Sequence, residues 1–107
     1  MIPGEFEQVV LLAILRLGDE AYGVSIRAEI MARTGRKITP GALYTTLDRL
    51  EEKGCLASRM GEPTAERGGR AKRYYVVTAV GVESVTKAQR AFRNLLEGLA
   101  IFGASHA

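Results

Sequence analysis

Apolar residues dominate the first predicted helix. Residues 5–17, EFEQVVLLAILRL, open with acidic side chains and stop before Gly18, as expected for a helix. Every position from 9 to 15 is apolar, which exceeds the single stripe that a surface helix needs. We therefore expect this helix to be covered on two sides, by its own domain and by something else.

The next segment predicts a second, amphipathic helix. Residues 22–35, YGVSIRAEIMARTG, follow the turn GDEA. Ile26 and Ile30 are spaced for one helical face, and Gly35 suits the C-terminal cap.

Residues 39–54, TPGALYTTLDRLEEKG, carry the strongest boundary signals in the chain. Thr39 is the predicted N-cap and Pro40 the first helical residue, and Gly54 ends the segment. Leucines at positions 43, 47 and 50 share one face of this third helix. That face is predicted to be buried.

Two short runs then predict a β-hairpin. CLASRM and KRYYVVT are linked by GEPTAERGGRA, whose proline and glycines exclude regular structure. Alternation along the second strand places Tyr75 and Val77 on one face, which we expect to be buried against the helices.

A long last helix is predicted from Thr78, its N-cap, to about residue 101. Apolar residues recur every seven positions from Val85, with a second set offset by three, which is a seam typical of paired helices. The small body cannot cover such a helix, so we expect the seam and the apolar first helix to meet a second copy. A helix folded back on its own domain is the alternative. The predicted homodimer interface comprises Phe6, Val10, Ile14, Val85, Phe92, Leu95, Leu96 and Leu99.

This order of elements predicts a mostly α fold with a small β-hairpin (α+β). Three helices followed by a hairpin is the chain order of a winged helix-turn-helix, although many unrelated small α+β domains share it. We place this DNA-binding domain at residues 1–78 and the C-terminal dimerisation helix with a short tail at 79–107.

Charge favours an anionic partner. The chain of 107 residues has a net charge of +3, and its cations collect in residues 27–37 and 59–73, each with an excess of three positive charges. Two basic segments suggest nucleic acid first and a membrane surface second. An ordinary solvated surface is the alternative.

Candidate chemistry is sparse. With one cysteine and one histidine, the chain offers no disulfide, metal site or nucleophile–base pair, so we expect no cofactor and no enzyme activity. Cys55 is predicted to be a small buried hydrophobe. The apolar run at 9–15 is too short to span a bilayer and no targeting segment is evident. The expected location is the cytoplasm, without membrane attachment.

The third helix has the properties of a recognition helix. In a helix-turn-helix the N-terminal residues of that helix reach the base edges while later turns leave the groove. Asp48, Glu51 and Glu52 would repel phosphates, but they lie in those later turns. An amphipathic core helix with a solvated face is the alternative interpretation. The candidate groove contacts are Thr39, Gly41, Tyr44, Thr45 and, to base or backbone, Arg49.

The hairpin tip is predicted to contact the phosphate backbone. Its cations can adapt to the phosphates, and its glycines allow close approach. The strand that follows anchors the loop. The candidate phosphate contacts are Arg67, Arg70, Lys72 and Arg73.

The chain resembles the PadR family of transcriptional regulators, short subclass. The resemblance rests on YGVSI at 22, ITPGALYTTLDRLEEKGCL at 38 and GGRAKRYYVVTAVG at 68. It implies a winged helix-turn-helix homodimer that binds double-stranded DNA at a dyad-symmetric operator, usually as a repressor, and often releases it when a small molecule such as a phenolic acid or a drug binds. We expect such an effector to be a small aromatic molecule and its site to lie between the first and last helices of the dimer. By position, Pro40, Gly41 and Tyr44 match the recognition-helix motif, and Gly69, Arg70, Lys72 and Tyr75 match the wing motif.

A protein-interaction module is the alternative function. In that case the winged helix docks a partner protein and does not bind DNA. Replacing Arg70 and Lys72 with alanine separates the two functions, because only DNA binding depends on these cations.

Overall fold

The structure is a computed structural model that describes residues 3–62 and 71–100. These residues form four α-helices and a two-stranded antiparallel hairpin, which confirms the predicted fold class. A 3-10 turn, Gly18–Glu20, connects the first two helices. In chain order the elements are α1 (Glu5–Leu17), α2 (Gly23–Thr34), α3 (Pro40–Glu52), β1 (Leu56–Met60), β2 (Arg73–Val77) and α4 (Ala79–Leu96).

The predicted helix caps are confirmed. Thr39 Oγ1 accepts a hydrogen bond from the amide of Ala42 at 3.1 Å, and Thr78 Oγ1 accepts one from the amide of Gly81 at 3.1 Å. Each bond satisfies an amide that has no partner within its helix. Gly35 ends α2 in the left-handed region, at φ +70°.

The last helix ends earlier than predicted. α4 stops at Leu96, whereas the sequence pattern predicts helix to about residue 101. Gly98 takes a φ of +81°, a left-handed conformation that a helix cannot continue through. The predicted seam is therefore helical at positions 85, 92 and 95 but not at 99.

The core lies where α1 crosses α2, α3 and β2. Within α1 the buried side chains belong to Val10, Leu11, Ala13 and Ile14. Leu12 and Leu15 point outward and are 41% and 45% exposed. The core is completed by Ala21, Ile26, Ile30, Ile38, Leu43, Leu47, Leu50, Cys55, Leu56, Tyr75 and Val85, so the predicted burial of Cys55 and of the leucine face of α3 is confirmed.

The hairpin is joined to the helix-turn-helix by backbone pairing. β1 and β2 pair from Leu56 opposite Val77 to Met60 opposite Arg73. The amide of Tyr75 also donates to the carbonyl of Ala21 at 2.8 Å. The segment before α2 is thereby hydrogen-bonded to the edge of β2 that does not pair with β1. Tyr75 is buried, as predicted, whereas Val77 is half-buried against the core.

A partly buried ion pair links α1 to the end of α3. Lys53 Nζ donates to Glu7 Oε2 at 2.8 Å, and the amide of Gly4 donates to Glu7 Oε1 at 2.9 Å. Burial alone would raise the pKa of the Glu7 carboxyl, but the bonds from Lys53 and Gly4 outweigh it and hold the pKa below its usual value. The pair fastens the C-terminal end of α3 to the first turn of α1.

No helix in the described part of the chain combines the length and the apolar character needed to cross a bilayer. Within residues 3–62 and 71–100, no group of His, Cys, Asp and Glu side chains is arranged to hold a metal ion.

Candidate nucleic-acid interface

The outer face of α3 is largely exposed to solvent. Leu43, Thr46, Leu47 and Leu50 turn inward, which leaves the opposite side of the helix to solvent. The exposed side brings together all the residues that the sequence predicts for groove contact: Thr39, Pro40, Gly41, Tyr44, Thr45 and Arg49.

Open space lies over Gly41, in the first turn of α3. A Cβ built on Gly41 has no atom within 4 Å. This glycine is helical and has a negative φ, so the backbone does not require it. The first turn is therefore an uncovered helix end with room for another molecule against its backbone.

Tyr44 serves a packing role that the sequence pattern does not reveal. A Cβ built on Gly23 would collide with the Tyr44 hydroxyl and lie 2.6 Å from its Cζ. The ring therefore rests on the first residue of α2 while remaining 45% exposed. Tyr44 joins the outer face of α3 to the start of α2.

Most cations of the basic segment 27–37 have partners within the protein. Arg33 pairs with Glu29 at 2.9 Å, and Arg36 pairs with Glu5 at 3.0 Å. Arg27 donates to the carbonyl of Ile38 at 2.6 Å, which holds the link between α2 and α3. Three of the four cations of this segment thus have a hydrogen-bond partner in the protein, and Lys37 is the fourth.

The cations at the base of the hairpin are held differently. Lys72 Nζ lies 4.3 Å from the centre of the Tyr22 ring, and the Arg59 guanidinium lies 4.9 Å from the centre of the Tyr74 ring. Arg73 donates to Ser58 Oγ at 3.1 Å. An aromatic ring attracts a cation without neutralising it. Positive charge at Lys72 and Arg59 therefore stays available to a ligand.

Three predicted wing residues, Arg67, Gly69 and Arg70, lie outside the described residues. Lys72 and Arg73 stand at the base of the same loop, and both are exposed. Sequence reasoning missed Arg59 and Tyr22 as parts of this surface. The signal for Tyr22 was its place in the YGVSI block, but nothing local indicated contact with a strand fifty residues later.

The predicted dimerisation residues divide into buried and exposed sets. Val10, Ile14 and Val85 are at most 3% exposed and pack inside the protomer, so the prediction that they face a second copy needs correction. A helix that is apolar all round gives no indication of which side meets its own core. Phe6 is half-buried against that core. The remaining predicted residues are half-buried Leu96 and exposed Phe92, Leu95 and Leu99.

The comparisons with known proteins agree on one family. The model of the transcriptional regulator PadR-like family matches residues 11–87. The transcriptional regulator Rv3488 of Mycobacterium tuberculosis is 35% identical over 88 residues, which cover 82% of this chain and 77% of that protein.

Solved structures share the fold. A PadR family transcription regulator from Clostridium difficile superimposes with a TM-score of 0.71 at 22% identity, over 91% of this chain and 97% of the other. A PadR family regulator from Eggerthella lenta gives a TM-score of 0.65 at 28% identity, over 88% and 81% of the two chains.

Proposed function

Because this chain belongs to the PadR-like family of transcriptional regulators, we propose that it acts as a homodimeric repressor that binds a dyad-symmetric DNA operator. The first turns of α3 enter the major groove, and the hairpin contacts the flanking phosphates. The observation that carries this proposal is the uncovered N-terminal half of α3, with open space over Gly41. This is the part of a recognition helix that reaches base edges.

The distribution of charge around α3 supports the same orientation. Asp48 and Glu52 are exposed in its later turns, whereas its first turn carries no acidic residue. Glu51 accepts a hydrogen bond from Ser58 at 2.8 Å and is turned toward the hairpin. A duplex that meets the first turn therefore avoids the repulsion that the later turns would create.

The exposed apolar residues of α4 support the homodimer. Phe92 and Leu95 are 59% and 77% exposed, and Leu12 and Leu15 are uncovered on α1. Gln89 Nε2 donates to Gln8 Oε1 at 2.8 Å, which ties α4 to α1. Association of two copies through these helices would bury this surface. The effector site that the resemblance implies would lie between the same helices.

We expect duplex binding to weaken steeply with salt, and Lys72→Ala to flatten that dependence. Removal of one phosphate contact should reduce the slope of log affinity against log salt by roughly 0.9. The measurement is fluorescence anisotropy across a salt series, on an operator selected from random duplex DNA. That selection tests sequence preference and dyad symmetry at the same time.

Lys87→Ala is the matched control for Lys72→Ala. Lys87 is an exposed lysine on α4 that pairs with Glu83 at 3.6 Å. Its removal changes the net charge equally and should leave the slope unchanged. If the two variants show the same salt slope, Lys72 does not contact a phosphate. Binding that is insensitive to salt would contradict the proposed function.

We expect Leu95→Glu to shift the protein from dimer to monomer. A carboxylate at this position would have to be buried against the partner without a counter-charge, which should raise the dimer dissociation constant about tenfold or more. Because Leu95 is 77% exposed, the protomer should keep its fold. Sedimentation velocity over a dilution series measures the effect.

Arg90→Glu is the control for the dimer experiment. Arg90 is exposed on the same helix, about 140° around its axis from Leu95. Its replacement should leave the association constant within a small factor of wild type. A Leu95→Glu protein that remains as dimeric as wild type would contradict the proposed interface.

An open apolar groove between α2 and α3 favours the protein-interaction alternative. Its volume is about 430 Å³, and Val24, Met31 and Tyr44 are among its lining residues. If a partner protein docks there, the replacement of Arg70 and Lys72 should leave that complex intact. Loss of duplex binding in the same variant would support the proposed DNA-binding function.

A further inference from the structure

A chain of aromatic contacts joins the base of the wing to the start of α2. The Tyr22 and Tyr74 rings meet edge to face, with their centres 5.5 Å apart. Lys72 Nζ lies 4.3 Å from the centre of the Tyr22 ring, and Arg59 lies over the Tyr74 ring. The two tyrosine rings are thus in contact with each other, and each also contacts one cation.

The backbone of Tyr22 is held on two sides, whereas the long side chain of Lys72 has many rotamers. The Tyr22 amide donates to Ser25 Oγ at 3.0 Å, and its carbonyl accepts from the amide of Ile26 at 2.8 Å. A backbone bridge to Tyr74 fixes it from the other side. Lys72 belongs to the exposed base of the wing, and a lysine has four rotatable bonds to immobilise before it can hold a phosphate.

The ring restrains this lysine without neutralising it. Arg33 and Arg36 pair with carboxylates, so a phosphate would have to compete with a neighbouring negative charge there. A tyrosine ring attracts the ammonium through its quadrupole and leaves its net charge and outward N–H groups intact. Restraint of this kind reduces the ordering cost of binding while the cation remains usable.

We propose that Tyr22 is a positioning residue for DNA binding: its ring holds the Lys72 ammonium at the base of the wing in the place where it meets a phosphate. Tyr22 acts through Lys72 and does not itself need to touch the duplex. The proposal rests on the proposed function, because it assumes that the wing lies against DNA.

The test is a double-mutant cycle on a mixed-sequence duplex of about three helical turns. Phosphate contacts dominate non-specific binding, so no operator is required. The proteins are wild type, Tyr22→Phe, Tyr22→Leu, Lys72→Ala and the combinations of each Tyr22 change with Lys72→Ala. Anisotropy across a salt series gives the affinity and the salt slope of each protein.

Tyr22→Leu should weaken binding roughly two- to fivefold, the factor that corresponds to an exposed cation–π contact, and should flatten the salt slope. Tyr22→Phe keeps the ring and should behave as wild type. In the Lys72→Ala background, the leucine and phenylalanine variants should bind equally well. If Tyr22→Leu weakens binding by the same factor in both backgrounds, or leaves it unchanged, the proposal is overturned.

A second measurement does not depend on how well any variant folds. In the free wild-type protein, the ε-methylene protons of Lys72 should show an upfield ring-current shift by NMR. Absence of that shift overturns the proposal. A wild-type protein without duplex affinity overturns the proposed function and this inference with it, whereas duplex binding without coupling between Tyr22 and Lys72 overturns this inference alone.

Discussion

Replacement of Gly81 with alanine is expected to lower the free energy of unfolding by about 2 to 3 kcal/mol, the upper range for overpacking in a core. A Cβ at this position would collide with the carbonyl oxygen of Cys55 and lie 2.7 Å from Val77 Cγ1. Much of the obstacle is backbone, since the Cys55 carbonyl also accepts the amide of Thr78 at 3.0 Å. Urea denaturation followed by circular dichroism measures the loss of stability.

Gly41→Ala is the matched control for Gly81→Ala. Both glycines lie in the first turn of a helix behind a threonine N-cap, but Gly41 has no atom within 4 Å of a built Cβ. Alanine restricts the unfolded chain without straining the helix, so this variant should be as stable as wild type or more stable by up to about 1 kcal/mol. If Gly81→Ala proves as harmless as Gly41→Ala, α4 does not approach Cys55 as closely as the structure shows.

Local signals explain why the helix starts were predictable. Thr39 followed by Pro40 determines the start of α3 through one side-chain bond and one fixed backbone angle, and neither depends on the rest of the chain. Thr78 starts α4 through a side-chain bond of the same kind, with alanine in place of the proline. The exposed face of α3 also followed from the spacing of its leucines. Most of the candidate site on α3 was therefore accessible from the sequence.

Contacts between distant segments explain what was not predictable. The apolar pattern of α1 gave no reason to bury Ile14 in the protomer while Leu15 stayed outside, because that choice depends on where α2 and β2 pack. Likewise, Arg36 looked like part of a free basic patch until the fold brought Glu5 beside it, thirty-one positions earlier in the chain. Sequence spacing carries no information on such pairs.

Gly41→Leu is expected to separate DNA binding from stability. Because Gly41 is exposed and a built Cβ meets no atom within 4 Å, we expect the free protein to accept a leucine there, and leucine is a better helix former than glycine. If the first turn of α3 lies in the major groove, the same side chain occupies the space needed by the duplex. Affinity for the selected operator should fall about tenfold or more, equivalent to roughly 1.4 kcal/mol, while thermal stability is unchanged or higher.

Two comparisons make the Gly41 result specific to the interface. Gly41→Ala adds only a methyl group, so its affinity should lie between those of wild type and Gly41→Leu. Thr86→Leu introduces the same side chain at an exposed position of α4 and should leave operator affinity unchanged. A Gly41→Leu protein that binds the operator as well as wild type would mean that the first turn of α3 faces away from DNA. The proposed DNA contacts of Thr39, Pro40 and Gly41 would then all be wrong, because all three depend on that one orientation of the helix.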